Sequence, residues 1–208
     1  MKYDAIIFDL DGTLWDSTKT VADSWSATLR REGETRSYSA EDIAGIMGCT
    51  DREIEERLFL PFKERAHELC VKCMSEEPEY VAVHGGRIYE GVETMLETLS
   101  AKLPLFIVSN CQSGYVEAFL AYSKYGRFFR DFEYLGRKGL NKTENIRLIM
   151  ARHGIEKAVY VGDTAHDEKS AKAAGCDFIH AGYGFGSCCE PLAVIGSPLE
   201  LCSLIEIV

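Results

Sequence analysis

The chain has 208 residues, 46% hydrophobic and 27% charged, the balance of a globular protein sized for one large domain or a domain with an insert. Its formal net charge of −10 argues against non-specific nucleic-acid binding and gives no long-range pull on anions, so any phosphate site must be made positive locally. No apolar run approaches bilayer length, the N-terminus reads as strand and not as signal peptide, and eight scattered cysteines suit a reduced, cytoplasmic setting.

Residues 5–8 form an apolar run that stops on Asp9. That is the pattern of a strand buried on both faces of a parallel sheet. Ligands of such sheets gather beyond the carboxyl ends of the strands, so Asp9 and Asp11 stand where chemistry is expected. Two carboxylates one residue apart, with Gly12 easing a tight turn, suit a hard cation such as Mg²⁺. It would be shared by a side-chain oxygen of Asp9 and the main-chain carbonyl of Asp11. The same pair suits covalent work, one carboxylate attacking while the other handles the leaving group's proton. Asp9-Leu10-Asp11-Gly12-Thr13-Leu14, placed directly after that strand, resembles the first motif of the haloacid dehalogenase superfamily. Most members of that superfamily are Mg²⁺-dependent phosphohydrolases.

From residue 16 to about 79 the period becomes helical. Val21, Trp25 and Leu29 fall four apart, residues 43–47 continue the pattern, and Ile54, Leu58 and Phe62 mark an apolar face interrupted by Pro61. So many helices in succession do not fit a plain doubly wound sheet. The resemblance implies a helical cap over residues 16–84, set into a core of residues 1–15 and 85–208. Residues 45–52 break two of these helices, with Thr50 or Asp51 as the N-cap. In relatives a loop here contributes to substrate choice, which makes Gly48, Cys49, Thr50 and Arg52 specificity candidates, Arg52 toward a second anionic group. His67, Cys70 and Cys73 supply three ligands where a structural zinc site wants four, and read as a packed helix face.

Gly85 and Gly86 mark the return linker, and an amphipathic helix over 91–99 precedes a second buried strand, 105–108. That strand runs into Ser109 and Asn110, where a hydroxyl and N–H groups form a phosphate cradle; Ser109 matches the family's second motif. Residues 112–125 read as helix and 132–135 as a short strand. Family members carry a lysine near the start of the helix that follows; Lys142 fits that position, with Lys138 as the alternative. Residues 158–161 form the next buried strand, ending in Gly162-Asp163-Thr164-Ala165-His166-Asp167, which resembles the fourth motif. Asp163 would complete the metal's ligands with Asp9 and Asp11, and Asp167 would bind the metal, directly or through water, or hold Lys142. His166 falls at a variable position of that motif.

A last strand over 178–181 leads into a glycine-rich stretch, 182–187, that lacks the lysine of a P-loop and is misplaced for a dinucleotide fingerprint. It reads as a turn beside the catalytic loops; nothing supports a redox role for the adjoining Cys188 and Cys189. Residues 199–205 close the chain as a helix. The expected fold is therefore a three-layer α/β/α, Rossmann-like core of five mostly parallel strands with a small all-helical cap.

The resemblance implies Mg²⁺-dependent phosphomonoester hydrolysis of a small phosphorylated metabolite through an aspartyl-phosphate. Asp9 would be the nucleophile and Asp11 the acid–base group, with Ser109, Asn110 and Lys142 on the phosphate. Dehalogenases of the superfamily use no metal and lack an acid at the position of Asp11, so Asp11 and Asp163 point to phosphoryl chemistry. A phosphoglycolate-phosphatase-like enzyme is the first reading, a β-phosphoglucomutase-like isomerase the second, and a catalytically silent binding module the alternative of another class. A monomer or homodimer is expected, with neither nucleic acid nor membrane as partner.

Overall fold

In the computed structural model, which describes residues 3–135 and 139–207, β1 (Ala5–Phe8) lies at the centre of a six-stranded sheet. A two-residue strand, β2 (Trp15–Asp16), then leads into helices α1 (Thr18–Arg31), α2 (Ala40–Ala44), α3 (Asp51–Ile54) and α4 (Ala66–His84). The chain returns through β3 (Arg87–Ile88), α5 (Val92–Ser100), β4 (Leu105–Ser109), α6 (Tyr115–Ser123) and β5 (Phe129–Tyr134). It closes with α7 (Lys142–His153), β6 (Ala158–Gly162), α8 (Ala165–Ala174), β7 (Asp177–Ala181), β8 (Ala193–Ile195) and α9 (Glu200–Ile207).

The strand order is β5-β4-β1-β6-β7-β8, with every pairing parallel. β1, β4 and β6 are buried along their whole length, as continuous apolar runs require when helices cover both faces of a sheet. Alternate residues feed two separate cores. Ala5, Ile7, Phe106, Val108 and Tyr160 pack under α7 and α8 through Ile146, Ile149 and Ala171. Ile6, Phe8, Leu105, Ile107 and Val161 belong to the other core, which runs through Leu96 and Phe119 into the helical unit at Trp25, Phe59 and Leu69. The three layers and the parallel sheet are those read from the sequence.

Three strands are additional to that reading. β8 adds a sixth strand at the sheet edge, beside β7; three residues after a proline-containing stretch carry too little periodicity to announce a strand. β2 and β3 pair antiparallel, Trp15 with Ile88 and Asp16 with Arg87, so the passages into and out of the helical unit are joined side by side. The Pro61 region forms a π turn over Glu55–Phe59 followed by a 3₁₀ turn over Leu60–Arg65. No helix among the described residues is long and apolar enough to cross a membrane.

Candidate active site

The sheet register builds the site. Phe8 pairs with Ile107 on one side and Val161 on the other, so Asp9 stands level with Val108 and Gly162, and Ser109 and Asp163 lie one step beyond on either flank. All three are buried. Lys142, the first residue of α7, is 2% exposed; its Nζ donates to Asp9 Oδ1 at 2.8 Å and to Asp167 Oδ1 at 2.5 Å. An ammonium survives such burial only because two carboxylates enclose it, and they hold its pKa above the ordinary lysine range despite desolvation.

The first turn of α8 fixes Asp167. Thr164 caps the helix: its hydroxyl donates to Asp167 Oδ2 at 2.6 Å and accepts from the Asp167 N–H at 3.2 Å. Asp167 thus uses one oxygen on the cap and the other on Lys142, and these bonds keep its pKa low against the burial that would raise it. Asp9 and Asp163 are pushed the other way by burial, to about 7 and about 8. Each is raised further by its carboxylate neighbours, Asp167 most for Asp9 and Asp9 most for Asp163.

Oxygens of Asp9, Asp163 and Asp167 lie within 4.8 Å of one another. Asp163 Oδ2 accepts from the Phe185 N–H at 2.7 Å, while its buried Oδ1 has no partner among the described residues. Three clustered hard oxygen donors, one with an orphaned lone pair, fit a cation of the Mg²⁺ type. Glycine makes this clustering sterically possible. At Gly12, with φ +80°, a Cβ would lie 2.2 Å from Asp163 Oδ2; at Gly184 it would lie 2.4 Å from the Asp163 Cβ. The glycine-rich stretch is thus the turn that closes over Asp163.

Asp11 stands apart from that cluster. Its Oδ1 accepts from Ser17 Oγ at 2.6 Å, and the Tyr115 hydroxyl lies 3.0 Å from the same oxygen and 2.6 Å from Ser17 Oγ. Burial pushes this carboxyl up to about 6 against the pull of those hydroxyls. Its side chain is committed to Ser17 and Tyr115, so the metal assignment of Asp11 rests on its main-chain carbonyl.

Asp9, Asp11, Ser109, Asn110 and Lys142 line one cavity of about 60 Å³, roofed by the helical unit. Gly48 and Cys49 line it too, and Gly48 O accepts from the Asn110 side chain at 3.0 Å, docking the 45–52 loop onto the sheet. The Asn110 amide therefore serves the roof. Thr50 is the N-cap of α3, in a capping box with Glu53, and does not line the cavity. Arg52 does not line this cavity: its side chain is exposed, pairs with Glu56 at 2.8 Å and lines an outer groove. Its position in the first turn of α3 turns it outward while Ile54 takes the buried side. Lys138 lies outside the described residues. His166 is exposed, and His67 pairs with Glu55 at 2.7 Å while Cys70 and Cys73 pack in the core.

One acid of the cavity wall escaped the sequence reading. Glu77 on α4 is 4% exposed; its Oε2 accepts from Trp25 Nε1 at 2.5 Å and its Oε1 from Gln112 Nε2 at 2.7 Å. Burial pushes its carboxyl up to about 8. The signal was present: Glu77 falls in phase with Cys70, Cys73, Met74 and Val81, a stripe that helical periodicity reserves for apolar side chains.

Residues 6–181 match the family model described as haloacid dehalogenase-like hydrolase. A phosphoglycolate phosphatase of Photorhabdus laumondii is 26% identical over 191 residues, covering 87% of this chain and 81% of its own. A 5'-nucleotidase of Pseudomonas aeruginosa is 26% identical over 197 residues, covering 90% and 86%. The structure of a haloacid dehalogenase-like family hydrolase from Streptococcus pneumoniae superposes with a TM-score of 0.83 at 24% identity, over 98% of this chain and 99% of that one, which speaks for the fold. With the family model spanning most of its length, the chain belongs to the haloacid dehalogenase-like hydrolases, and it is an enzyme.

Proposed function

We propose that this hydrolase is a phosphatase that cleaves small phosphomonoesters, resembling phosphoglycolate phosphatases in chemistry, with Asp9 as nucleophile. The observation that carries this reading is the enclosure of Lys142 between Asp9 and Asp167, with Asp163 alongside, at the carboxyl ends of β1 and β6. Mg²⁺ would be held by Asp9, Asp163 and the main-chain carbonyl of Asp11, with Asp167 beside it, and would draw charge from the phosphoryl oxygens. The relatives named phosphoglycolate phosphatase and 5'-nucleotidase fit a phosphomonoester substrate.

A carboxylate oxygen of Asp9 attacks phosphorus, forming the acyl-phosphate bond as the ester P–O bond breaks in line. Asp11, oriented by Ser17 and Tyr115, gives its proton to the departing alkoxide oxygen. Burial raises its pKa from the ordinary aspartate range toward neutrality, as suits a group that both gives and takes a proton. Asp11 then takes a proton from the water that attacks the same phosphorus, which releases phosphate and restores the Asp9 carboxylate. Lys142 and Ser109 stabilise charge on the transferring oxygens, and Asp167 keeps Lys142 in place. Residues 16–84 act as the cap that excludes bulk water from this exchange.

Asp9→Asn is expected to lower phosphate release from a small-phosphomonoester panel by on the order of 10⁴-fold. Its unfolding midpoint and circular dichroism should show an intact fold. Turnover in the variant comparable to the wild type would remove Asp9 from the nucleophile's role.

A further inference from the structure

The cavity beside Asp9 has two unlike walls. Residues at the sheet end are polar: Asp11, Ser109 and Asn110. The opposite wall comes from the helical unit and is largely apolar, with Val21, Trp25, Ile43, Ile46 and Met74. Among the described residues, that wall holds no lysine, arginine or histidine. Its one acid is Glu77. The nearby cations stand outside that wall: Lys142 pairs with Asp9 and Asp167, Arg52 with Glu56, and Arg57, whose charge reaches Cys49 at the cavity's edge, donates to the Gly45 carbonyl.

A second anionic group placed against this wall would therefore meet an apolar surface and a carboxyl, with no counter-charge on the wall itself. Burying an unpaired carboxylate in such a place is costly. The glycolate leaving group of phosphoglycolate is of this kind. Glu77, by contrast, has accepting capacity left. Each of its oxygens takes one hydrogen bond, from Trp25 and from Gln112, and the carboxyl, protonated or ionised, keeps accepting capacity beyond these two. Its carboxyl is pushed up by burial, with Asp11 adding to the shift and no cation lowering it. A donor arriving in the cavity would supply what this group lacks.

We propose, resting on the phosphatase reading above, that the enzyme selects phosphomonoesters whose small leaving group carries no negative charge and offers a hydrogen-bond donor to Glu77. A short amino alcohol or polyol meets that description, and phosphoglycolate does not. Glu77 is then the residue that reads the leaving group, and Trp25 and Gln112 hold its carboxyl in place.

The test is a near-isosteric series, 2-aminoethyl phosphate, 2-hydroxyethyl phosphate and phosphoglycolate, assayed for phosphate release with Mg²⁺ at neutral pH. In the wild type, kcat/KM for phosphoglycolate should fall at least tenfold below that for both others. In Glu77→Gln the ratio of 2-aminoethyl phosphate to phosphoglycolate should shrink several-fold, chiefly through KM. A purely structural Glu77 would lower all three substrates together and leave the ratio alone, which would overturn its reading role. Phosphoglycolate turned over as well as either of the others by the wild type would overturn the proposal, whatever the variant does. Release from any member of the series keeps the phosphatase reading standing; release from none of them, nor from ethyl phosphate, removes that reading and this one with it.

Discussion

Lys142 and Glu77 show how differently burial treats two ionisable side chains that line one cavity. Two carboxylates enclose the lysine, so its charge is kept in the interior. No cation faces the glutamate among the described residues, so burial favours its protonated form. The consequence for stability has a definite sign. The carboxyl ionises near 4.5 in a free setting and at about 8 in the fold. Between those values the unfolded chain has lost a proton that the native chain keeps, so this group's contribution falls as pH rises through the window. Glu77→Gln has no proton to lose there. Urea unfolding at pH 5, 6, 7 and 8 should therefore show the variant gaining on the wild type as pH rises. A difference that stays constant across the series would mean that Glu77 is already ionised in the native state.

At the scale of elements, the site depends on where strands end and helices begin. The abrupt halts at Asp9, Ser109 and Asp163 were legible because a buried parallel strand is a continuous apolar run, and its polar stop marks the sheet edge where ligands gather. Lys142 was reached through the family resemblance, which implies a lysine near the start of this helix, and not through any strand pattern. The direction of Arg52 was not, because a short helix gives too few turns to tell its inner face from its outer one. Asn110 was read as part of the cradle, yet its amide docks the Gly48 carbonyl; that contact joins segments 62 residues apart, which no local pattern encodes. The start of α8 shows how an element's end governs a distant group. Thr164→Val removes both bonds that its hydroxyl makes with Asp167. It should cost about 1 kcal/mol of stability as a lost N-cap. It should also lower kcat, because Asp167 would hold Lys142 less firmly. Chemical denaturation and steady-state kinetics on one preparation test both, and loss of stability with kcat unchanged would reduce Thr164 to a cap alone.

For the whole molecule, the central question is why three carboxylates from β1, β6 and α8 are tolerated in one buried cluster by a chain that already carries a net charge of −10. Lys142 offsets part of their repulsion. Burial first, and the remaining repulsion second, raise the pKa values of Asp9 and Asp163, and Asp163 Oδ1 has no partner among the described residues. A divalent cation bound there would relieve this across the molecule, since the chain segments that supply the ligands pack together only in the folded state. Any ligand that binds the native state and not the unfolded one stabilises it by an amount that grows with the logarithm of its concentration. Mg²⁺ at 100 times its dissociation constant should thus add about 2.7 kcal/mol and raise the melting temperature by several degrees. EDTA should reverse the shift and abolish phosphate release together. Asp163→Asn separates this effect from general screening of an acidic protein, because it removes one ligand while changing the net charge by a single unit. In that variant the Mg²⁺-dependent rise should shrink to the level given by an equal ionic strength of NaCl. A rise as large as the wild type's would place the bound cation away from Asp163 and undo the metal assignment.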